Sequence, residues 1–326
     1  MTMDTLDFKQ LEAFCAVMST GGITGAARLL GRSQPNVSRL IQELESVLGF
    51  TLFLRNGPRI SPTEHALQFH PEAERLVSAF RHVRERAEAI AGGRAPSFEI
   101  SAISSLAVSL VPPALACIPS EMMPQALHVQ VTVVDRVTQA VAAGAADFGL
   151  ASFPLSYPGL DVKWIGESPS VAALRRDDPL ARKMVIPLAS FLDRTLITMS
   201  NPFKLRYRID RVFEAAGIVP RTILDTNTGA AALALAREGL GVAIVDPATA
   251  YGMPFRDLVL RPLEARIPFF FGAIAGASRP LSPALAMFSD AVLAAAERLL
   301  PDFRLHETLS ADLLEDALYG EHPVQE

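Results

Sequence analysis

The amino-acid sequence predicts an α/β body of two lobes, preceded by a small helical head with a β wing and then by one long helix. Three observations predict this order. Apolar residues recur at helical spacing through the first part of the chain, an alternating four-three apolar pattern follows over residues 63–91, and short strand-like runs alternate with helical runs from Phe98 onward. At 326 residues, the chain is long enough for about two or three domains.

The composition is that of a globular protein that stays in the cytoplasm. Apolar residues make up 50% of the sequence and charged residues 20%. The longest apolar stretches are well short of the roughly 20 residues that a bilayer span needs, so no membrane partner is predicted. Asp4, Asp7 and Lys9 occupy the place where a secretory signal would need an unbroken apolar run.

The two cysteines indicate neither a disulfide framework nor a metal site. Cys15 and Cys117 fall in segments assigned to different domains, and both are predicted to be small buried apolar residues. His65, His70 and His82 lack a carboxylate or thiolate at ligand spacing and are interpreted as solvated surface residues. No metal and no cofactor is therefore predicted.

The net charge of -5 conceals a basic head and an acidic tail. Residues 20–61 hold five arginines against two glutamates, and residues 304–326 hold six acidic residues against one arginine. The charge of the whole chain therefore does not exclude a nucleic-acid partner for the head.

The head, residues 1–62, is predicted to be a helix-turn-helix followed by a wing. A first amphipathic helix runs from Asp7 and ends before Gly21. Thr24 is expected to N-cap a short second helix, Gly31 to supply the left-handed turn, and Ser33 to cap the third helix. The predicted buried stripe of the third helix consists of Val37, Leu40, Ile41 and Leu44.

The third helix leaves a set of polar side chains facing outward near its start. Gln34, Asn36 and Arg39 belong to this set, with Ser38 beside them and Pro35 where a missing N–H costs nothing. In a helix-turn-helix these first turns enter the major groove, where Gln and Asn bond adenine edges and Arg bonds guanine. A solvated helix face in an ordinary three-helix packing is the competing interpretation.

A two-stranded wing is predicted after the third helix. The run FTLFLRNGPRIS alternates apolar and polar residues around Asn56-Gly57, which is a strong hairpin signal. Arg55 and Arg59 flank the loop and are placed to meet phosphates, which supply affinity without sequence information.

The stretch ITGAARLLGRSQPNVSRLIQELESVLGFTLFLRNGPRISPTEHA resembles the winged helix-turn-helix of LysR-type transcriptional regulators. The SQPNVSRLIQELE core, the turn at Gly49, Leu52, Phe53 and Arg55 of the wing strand and the S-PTEHA exit match that family at the expected spacing. Gly25 and Leu54 depart from it, at positions where a bulkier polar or basic residue and an acidic residue are usual. The resemblance implies a regulator whose partner is double-stranded promoter DNA. The implied DNA contacts are Thr24, Arg32, Ser33, Gln34, Pro35, Asn36, Ser38, Arg39, Arg55 and Arg59.

Residues 63–91 are predicted to form a long helix that pairs with a second copy of the chain. Its four-three apolar spacing is typical of helix pairing, and Pro71 is expected to kink the helix or to mark its start. In the resembled family this helix pairs two subunits antiparallel, which implies a homodimer or homotetramer. A hinge is predicted at residues 92–96. The seam residues are Phe69, Ala73, Leu76, Phe80, Val83, Ala87 and Ile90.

The body, residues 97–301, resembles the effector-binding domain of the same family, whose fold is like that of type 2 periplasmic binding proteins. The resemblance implies lobe one at 97–164 and 269–301, lobe two at 165–268, and two crossover strands that hinge the lobes around a ligand cleft. Residues 302–326 form an acidic C-terminal extension. Its leucines at 305, 309 and 313 fall on one helical stripe, and a frayed acidic tail is the alternative.

Three pairs of small polar residues stand where a predicted strand of the body ends and a helix begins. Unpaired N–H groups at such places form natural anion sites, where these side chains would help to hold a small carboxylate or amino acid. Each residue is equally well interpreted as an N-cap or turn residue. The pairs are Ser104 with Ser105, Ser200 with Asn201, and Asn227 with Thr228.

The stretch 225–250 resembles the LysR-type regulators of octopine and nopaline catabolism. The resemblance implies a small-molecule effector that is an amino acid or an opine-like compound. Asp246 is then a candidate partner for an ammonium or guanidinium group, or else it caps the turn at Pro247. The arginines considered as carboxylate ligands, against the commoner surface role, are Arg136, Arg206 and Arg208.

Two other functions compete with that of the regulator. An enzyme on the same two-lobed fold would need a catalytic constellation, but no Walker loop, HExxH, G-x-S-x-G or metal-spaced Cys/His set occurs. Cys117 is expected to be buried on an apolar helix face and not to act as a nucleophile. A redox-sensing regulator would need a second sensing thiol, and the body holds only Cys117. The sequence therefore favours a regulator that is not an enzyme.

Overall fold

The structure, a computed structural model, divides into two compact units, Met1–Pro96 and Ser97–Glu326. The predicted hinge at 92–96 and the extension beyond residue 306 lie outside the part of the chain that the structure describes. Within that part, no helix is long and apolar enough to cross a membrane. The described residues are 6–56, 59–91, 97–124, 126–155, 159–200, 204–277 and 280–306.

The first unit contains three short helices, a hairpin and a long helix. Their apolar faces form one core in which Phe14, Val37 and Leu44 are completely buried. Leu40 and Ile41 are buried beside them, so the predicted stripe of the third helix is confirmed. The elements are α1 (Phe8–Thr20), α2 (Ile23–Leu29), α3 (Gln34–Leu48), β1 (Phe53–Asn56), β2 (Arg59–Pro62) and α4 (Glu64–Ala91).

Local caps set most of the helix boundaries in the head. Asp7 and Gln10 form a capping box at the start of α1, with Gln10 Oε1 accepting from the Asp7 N–H at 3.3 Å. Gly31 takes a φ of 60° between α2 and α3, which confirms the predicted left-handed turn. Ser33 is the N-cap of α3 as predicted, although its side chain makes no capping hydrogen bond.

One prediction about a helix start is wrong, and one of the two alternatives for Pro71 is excluded. Thr24 does not cap α2, because the helix already begins at Ile23, whose side chain packs against the core of the head, and Gly22 is the N-cap. Pro71 does not mark the start of the long helix, because α4 runs continuously from Glu64 with Pro71 inside it. Ala66, which lies in the first turn of α4 and before Pro71, is completely buried in the core of the head and so anchors that turn.

The second unit consists of two β-sheets with helices packed on them. The strands are β3 (Phe98–Ala102), β4 (Leu127–Val131), β5 (Phe148–Ser152), β6 (Leu160–Pro169), β7 (Val171–Arg175), β8 (Thr195–Met199), β9 (Thr222–Thr226), β10 (Val242–Val245), β11 (Leu258–Pro262), β12 (Pro268–Gly276) and β13 (Arg304–His306). The helices are α5 (Ser104–Ser109), α6 (Val111–Leu115), α7 (Val134–Ala142), α8 (Lys204–Ala215), α9 (Gly229–Arg237), α10 (Pro247–Gly252) and α11 (Pro283–Leu299).

The two sheets correspond to two lobes. One sheet has six strands in the order β13-β6-β12-β5-β3-β4, and the other has five in the order β11-β7-β10-β8-β9. Parallel pairs such as β3 with β5 and β8 with β10 are joined through helices, which brings the carboxyl ends of these strands to one edge of each sheet. The strand that is predicted to end before Ser200 is confirmed as β8, whereas no particular sequence run is predicted to form β6, β7, β11 or β13.

The chain crosses between the sheets along two antiparallel strands. β6 pairs with β12 over its length and stays in the six-stranded sheet as far as Pro169, beyond the residue 164 at which the prediction ended the first part of lobe one. At the crossing, the Ser170 N–H donates to the Ile267 carbonyl at 2.8 Å. This bond ties the outgoing connection to the returning one.

Helix α10 adds a further contact between the lobes. It follows β10 of the five-stranded sheet, yet Ala248 is completely buried in the core that covers the six-stranded sheet. A Cβ at Gly252 would lie 2.2 Å from Cβ of Ser109 on α5, so glycine is needed for this close approach. The lobes are therefore packed against each other and not joined by the two strands alone.

Two predictions about side chains are also wrong. Cys117 is exposed, because α6 ends at Leu115 and the predicted apolar helix face does not extend to the cysteine; Cys15 is half-buried. Leu305 belongs to β13, which pairs with β6, and not to a helical stripe. The leucines at 309 and 313 lie outside the described residues.

We expect Gly272→Ala to destabilise the second unit, because the added Cβ would lie 2.2 Å from the Trp164 carbonyl oxygen. Overpacking of this kind costs about 1–3 kcal/mol. Urea unfolding of the full-length protein, followed by the fluorescence of its one tryptophan, measures the loss. Gly276→Ala is the matched control on the same strand, since its nearest neighbour would be 3.6 Å away. Equal unfolding midpoints for the two variants would contradict the packing argument.

Candidate DNA-binding and effector sites

The exposed start of α3 is the candidate DNA-reading surface. Gln34, Pro35 and Asn36 are exposed together with Ser33, while the opposite face of the helix is fixed in the core. The Arg39 side chain is 68% exposed and lies 3.6 Å from Glu43, one turn further along. The predicted polar set is thus presented at the end of the helix that would enter a groove.

The remaining predicted DNA contacts surround this surface. Arg32 is half-buried and pairs with Glu12 at 3.4 Å, an ion pair that also joins the α2–α3 turn to α1. Thr24 is exposed on α2, and Ser38 is half-buried. β1 and β2 form the wing, but the side chains of Arg55 and Arg59 lie outside the described part of the structure.

The glycine at position 25, which departs from the resembled family, has a packing reason. A Cβ on Gly25 would lie 2.7 Å from Cβ of Thr20 at the end of α1. Thr20 in turn donates its hydroxyl to the Ala16 carbonyl at 2.7 Å. The close approach of α1 and α2 therefore leaves no room for a side chain at this position.

The predicted seam on α4 divides into two parts. Phe69 and Ala73 pack against the core of the head in the same chain. The next seam residues, Leu76, Phe80 and Val83, are 55%, 49% and 64% exposed. Ala87 is also exposed, and the side chain of Ile90 lies outside the described residues.

A cavity of about 290 Å³ lies between the two sheets of the second unit. Ser104 and Ser105, the first two residues of α5, line it from the six-stranded sheet. Asn227, Thr228 and Asp246 line it from the five-stranded sheet. The structure thus brings together five of the seven side chains predicted to hold an effector.

Of the other two predicted effector residues, the one that the structure describes, Ser200, is not among the residues that line the cavity. Ser200 follows β8, and its N–H donates to the Thr226 carbonyl at 2.8 Å. Asn201 lies outside the described residues.

Thr228 has two roles that the sequence leaves as alternatives. It is the N-cap of α9, with Oγ1 accepting from the Ala231 N–H at 3.3 Å. It also lines the cavity. A capping residue at a strand end can therefore present polar atoms to a ligand while it holds the helix start.

Asp246 is a buried carboxylate at the wall of the cavity. It is the N-cap of α10 and accepts from the Thr249 N–H at 2.8 Å and from the Thr249 hydroxyl at 2.7 Å. Burial raises the pKa of Asp246 despite these hydrogen bonds. The capping alternative is confirmed, and the carboxylate nevertheless remains part of the cavity lining.

Arg208 is a cavity residue for which the sequence analysis favours a surface role. It is only 7% exposed, and its Nη1 and Nη2 lie 3.2 Å and 3.5 Å from the carbonyl oxygens of Pro268 and Phe153. Its guanidinium lies 5.1 Å from the centre of the Phe270 ring, a cation–π contact. The signal for burial is its position on α8, three residues after the buried Leu205.

The other arginines considered as carboxylate ligands have surface roles. Arg206 pairs with Asp210 at 2.7 Å and with Asp225 at 3.6 Å. Arg136 is exposed on α7. Arg208 is thus the arginine of the three that lines the cavity.

A winged helix-turn-helix in the same chain as a two-lobed domain, whose cavity is lined by both polar and apolar residues, defines a ligand-responsive DNA-binding regulator. Residues 8–67 match the model of the bacterial regulatory helix-turn-helix protein, lysR family, and residues 91–297 match that of the LysR substrate binding domain. The chain belongs to the LysR family of transcriptional regulators. It binds promoter DNA under the control of a small metabolite.

Similar proteins support this membership over most of the chain. The regulatory protein NocR of Agrobacterium fabrum (strain C58 / ATCC 33970) is 26% identical over 291 residues, which are 89% of this chain and 97% of that protein. The octopine catabolism/uptake operon regulatory protein OccR of Rhizobium meliloti is 31% identical over 267 residues, 79% of this chain and 86% of that protein. The crystal structure of full-length CbnR complexed with its target DNA shares the fold, with a TM-score of 0.68 at 24% identity, over 89% of this chain and 100% of CbnR.

We expect Asp246→Asn to remove a stability cost that grows with pH. Because burial raises the pKa of Asp246 above its ordinary 3.8, the folded protein keeps this proton at pH values where the unfolded chain has lost it. Stability therefore falls as pH rises from 3.8 through the folded-state pKa in the wild type, and this contribution is absent in the variant. Asparagine retains an oxygen for the Thr249 N–H.

Urea unfolding of both proteins across a pH series measures the difference. The free energy of unfolding of Asp246→Asn, measured relative to that of the wild type, should increase as pH rises above 3.8. Asp257→Asn, which changes an exposed carboxylate, is the control. Parallel pH curves for Asp246→Asn and the wild type would show that the burial of this carboxylate has no energetic effect.

Proposed function

We propose that the metabolite is an amino acid or an opine-like compound that binds in the cavity between the two sheets. Asp246 faces its ammonium or guanidinium group, and Arg208 faces a carboxylate. The observation that carries this proposal is that a buried carboxyl group and a buried guanidinium line one cavity. A ligand that carries both charges complements this pair, whereas an aromatic acid matches only the arginine.

The rest of the lining supports the same class of effector. The hydroxyl and amide groups of Ser104, Ser105 and Asn227 offer neutral hydrogen bonds, and Thr228 stands at the positive end of α9. Phe153, Met199 and other apolar residues form the remaining wall, which suits a carbon chain. OccR, whose name refers to octopine catabolism, shares 31% identity with this chain.

DNA recognition is proposed for the exposed start of α3 and for the wing. Gln34 and Asn36 read base edges, with Pro35 beside them. Arg39 contacts either a base or a phosphate, and the remaining contacts position the head on the backbone. These remaining contacts are Thr24, Arg32, Ser33, Ser38, Arg55 and Arg59.

The exposed part of the α4 seam is proposed as the contact with a second subunit. Leu76, Phe80, Val83 and Ala87 lie on one side of the helix and are exposed in the described part of the chain, although Phe8 stacks on Phe80 at 4.0 Å. A homodimer, or a homotetramer built from two dimers, presents two heads to a pseudo-palindromic site and multiplies their affinity.

A cytoplasmic regulator without catalytic activity fits these features better than the two alternatives. The Asp246 carboxylate already accepts two hydrogen bonds from Thr249, and Cys117 is not among the cavity residues. A redox sensor is opposed by the single cysteine of the second unit. DNA binding by the wild-type protein that is unchanged by oxidant supports this assignment.

A thermal-shift screen of the full-length protein tests the effector class. The panel contains L-arginine, octopine, dicarboxylates and aromatic acids. A compound that binds only the folded state stabilises it by about 2.7 kcal/mol at a hundredfold excess over its Kd. We expect a shift with a compound that carries both an amino or guanidino group and a carboxylate.

Matched variants then test whether Asp246 contacts the cationic group of the ligand. Asp246→Asn should weaken the binding of that compound roughly tenfold to a hundredfold, because a hydrogen bond to a charged group is lost. Asp257→Asn makes the same chemical change at an exposed site and should leave the affinity unchanged. If only aromatic or dicarboxylic acids shift the protein, or if both variants bind alike, the amino-acid assignment is wrong.

We expect Gln34→Ala to lower the affinity for DNA sites selected from a random library by the full-length protein. Loss of a bidentate base contact costs about 1–3 kcal/mol and relaxes the preference at one position. Gln42→Ala is the control, since it removes an exposed glutamine from the far half of the same helix. Equal losses in the two variants, measured by fluorescence anisotropy, would argue against base reading by the start of α3.

A further inference from the structure

The last described strand, β13, is attached to the junction between the lobes. It lies beyond residues 91–297, which match the family's domain model, and it pairs antiparallel with the end of β6. The segment before it is held by the Ser168 hydroxyl, which donates to the Pro301 carbonyl at 2.6 Å. The Phe303 ring covers Gly166, where a Cβ would lie only 2.4 Å from it. The beginning of the C-terminal extension is therefore part of the folded second unit.

His306 completes a polar cluster at this junction. Its Nε2 lies 3.0 Å from one oxygen of Glu167, whose side chain is only 9% exposed. The other oxygen accepts from Arg266 Nη2 at 2.7 Å and from Nε at 3.1 Å. Arg266 immediately precedes Ile267, the residue bonded to Ser170 at the crossing. The C-terminal strand is thus tied to both connections between the sheets.

The same histidine is linked through Phe270, which is not among the lining residues, to Arg208 of the effector cavity. Glu167 and Phe270 are direct partners across β6 and β12 and so share one face of the sheet. The His306 ring lies 5.9 Å from the Phe270 ring, and the guanidinium of Arg208 lies 5.1 Å from the centre of that same ring. Phe270 is completely enclosed between its neighbours, with 1% exposure. A change in the position of the Phe270 ring would therefore displace the guanidinium of Arg208.

We propose that His306 is a positioning residue for the effector cavity. Through Glu167 and Phe270 it fixes the position of the ring that Arg208 contacts. The C-terminal strand therefore determines where the guanidinium of Arg208 lies in the cavity. β13 is a three-residue edge strand, and such a strand opens easily unless side chains hold it. The consequence for effector affinity rests on the proposed role of Arg208, whereas the positioning itself does not.

Hydrogen exchange of the full-length protein, without any effector, tests the positioning. In His306→Ala, we expect amides of α8 around Arg208 to exchange about fivefold to tenfold faster, because the local stability of this helix is reduced. α9, which borders the same cavity but lacks the Phe270 contact, should exchange as in the wild type. His306→Gln retains a side-chain N–H that can reach Glu167 and should restore slow exchange.

Leu305→Ala is the matched control, since it alters an exposed neighbour in the same strand. It should leave α8 unchanged. Faster exchange confined to β13 and β6, or spread equally over α8 and α9, overturns the proposal. A separate measurement tests the proposed effector contact: Arg208→Met should lose effector binding. If Arg208→Met still binds the effector, the proposed contact is wrong, but the positioning by His306 is unaffected.

Discussion

The pairing of β6 with β12 is the constraint on which the cavity between the two sheets depends. These strands carry the chain from one sheet to the other and back, and the bond from Ser170 to Ile267 joins them where they cross. Helix α10 adds a packed contact, because Ala248 is buried in the core of the opposite lobe. The cavity lies where these connections meet. Its shape and the arrangement of the lobes are therefore set by the same contacts, so a ligand that prefers one arrangement shifts the population toward it.

The buried charges of the cavity are compensated within the protein. Taking a carboxylate or guanidinium out of water is costly unless hydrogen bonds replace the water. Asp246 is held by two bonds from Thr249, and Arg208 by two carbonyl oxygens and the Phe270 ring. This compensation keeps both groups in place without a ligand, which reduces the ordering that binding requires. The raised pKa of Asp246 shows that the compensation is incomplete. A cationic group of the effector would further favour its ionised form.

Sequence periodicity predicts those elements whose buried positions are all apolar. The stripe of α3 is of this kind, whereas β6 contains the buried polar residues Glu167 and Ser168, whose partners come from distant parts of the chain. The same distinction applies to the site. Thr228 is predictable from its place after a strand, but the burial of Arg208 depends on carbonyl oxygens and a ring from the other lobe. The exposure of Cys117 depends on where α6 ends, which composition does not determine.

We expect effector binding in the cavity and the arrangement of the two lobes to be one coupled equilibrium. The most direct measurement is the distance between spin labels on the exposed Cys117 of one lobe and on Val219→Cys, a position 77% exposed on the other. The Cys15→Ser background removes the third thiol, and dilution with unlabelled protein isolates distances within one chain. With a saturating amount of a compound that binds, we expect a displaced or narrower distribution of the distance between the labels. An unchanged distribution, with the compound bound, would contradict it.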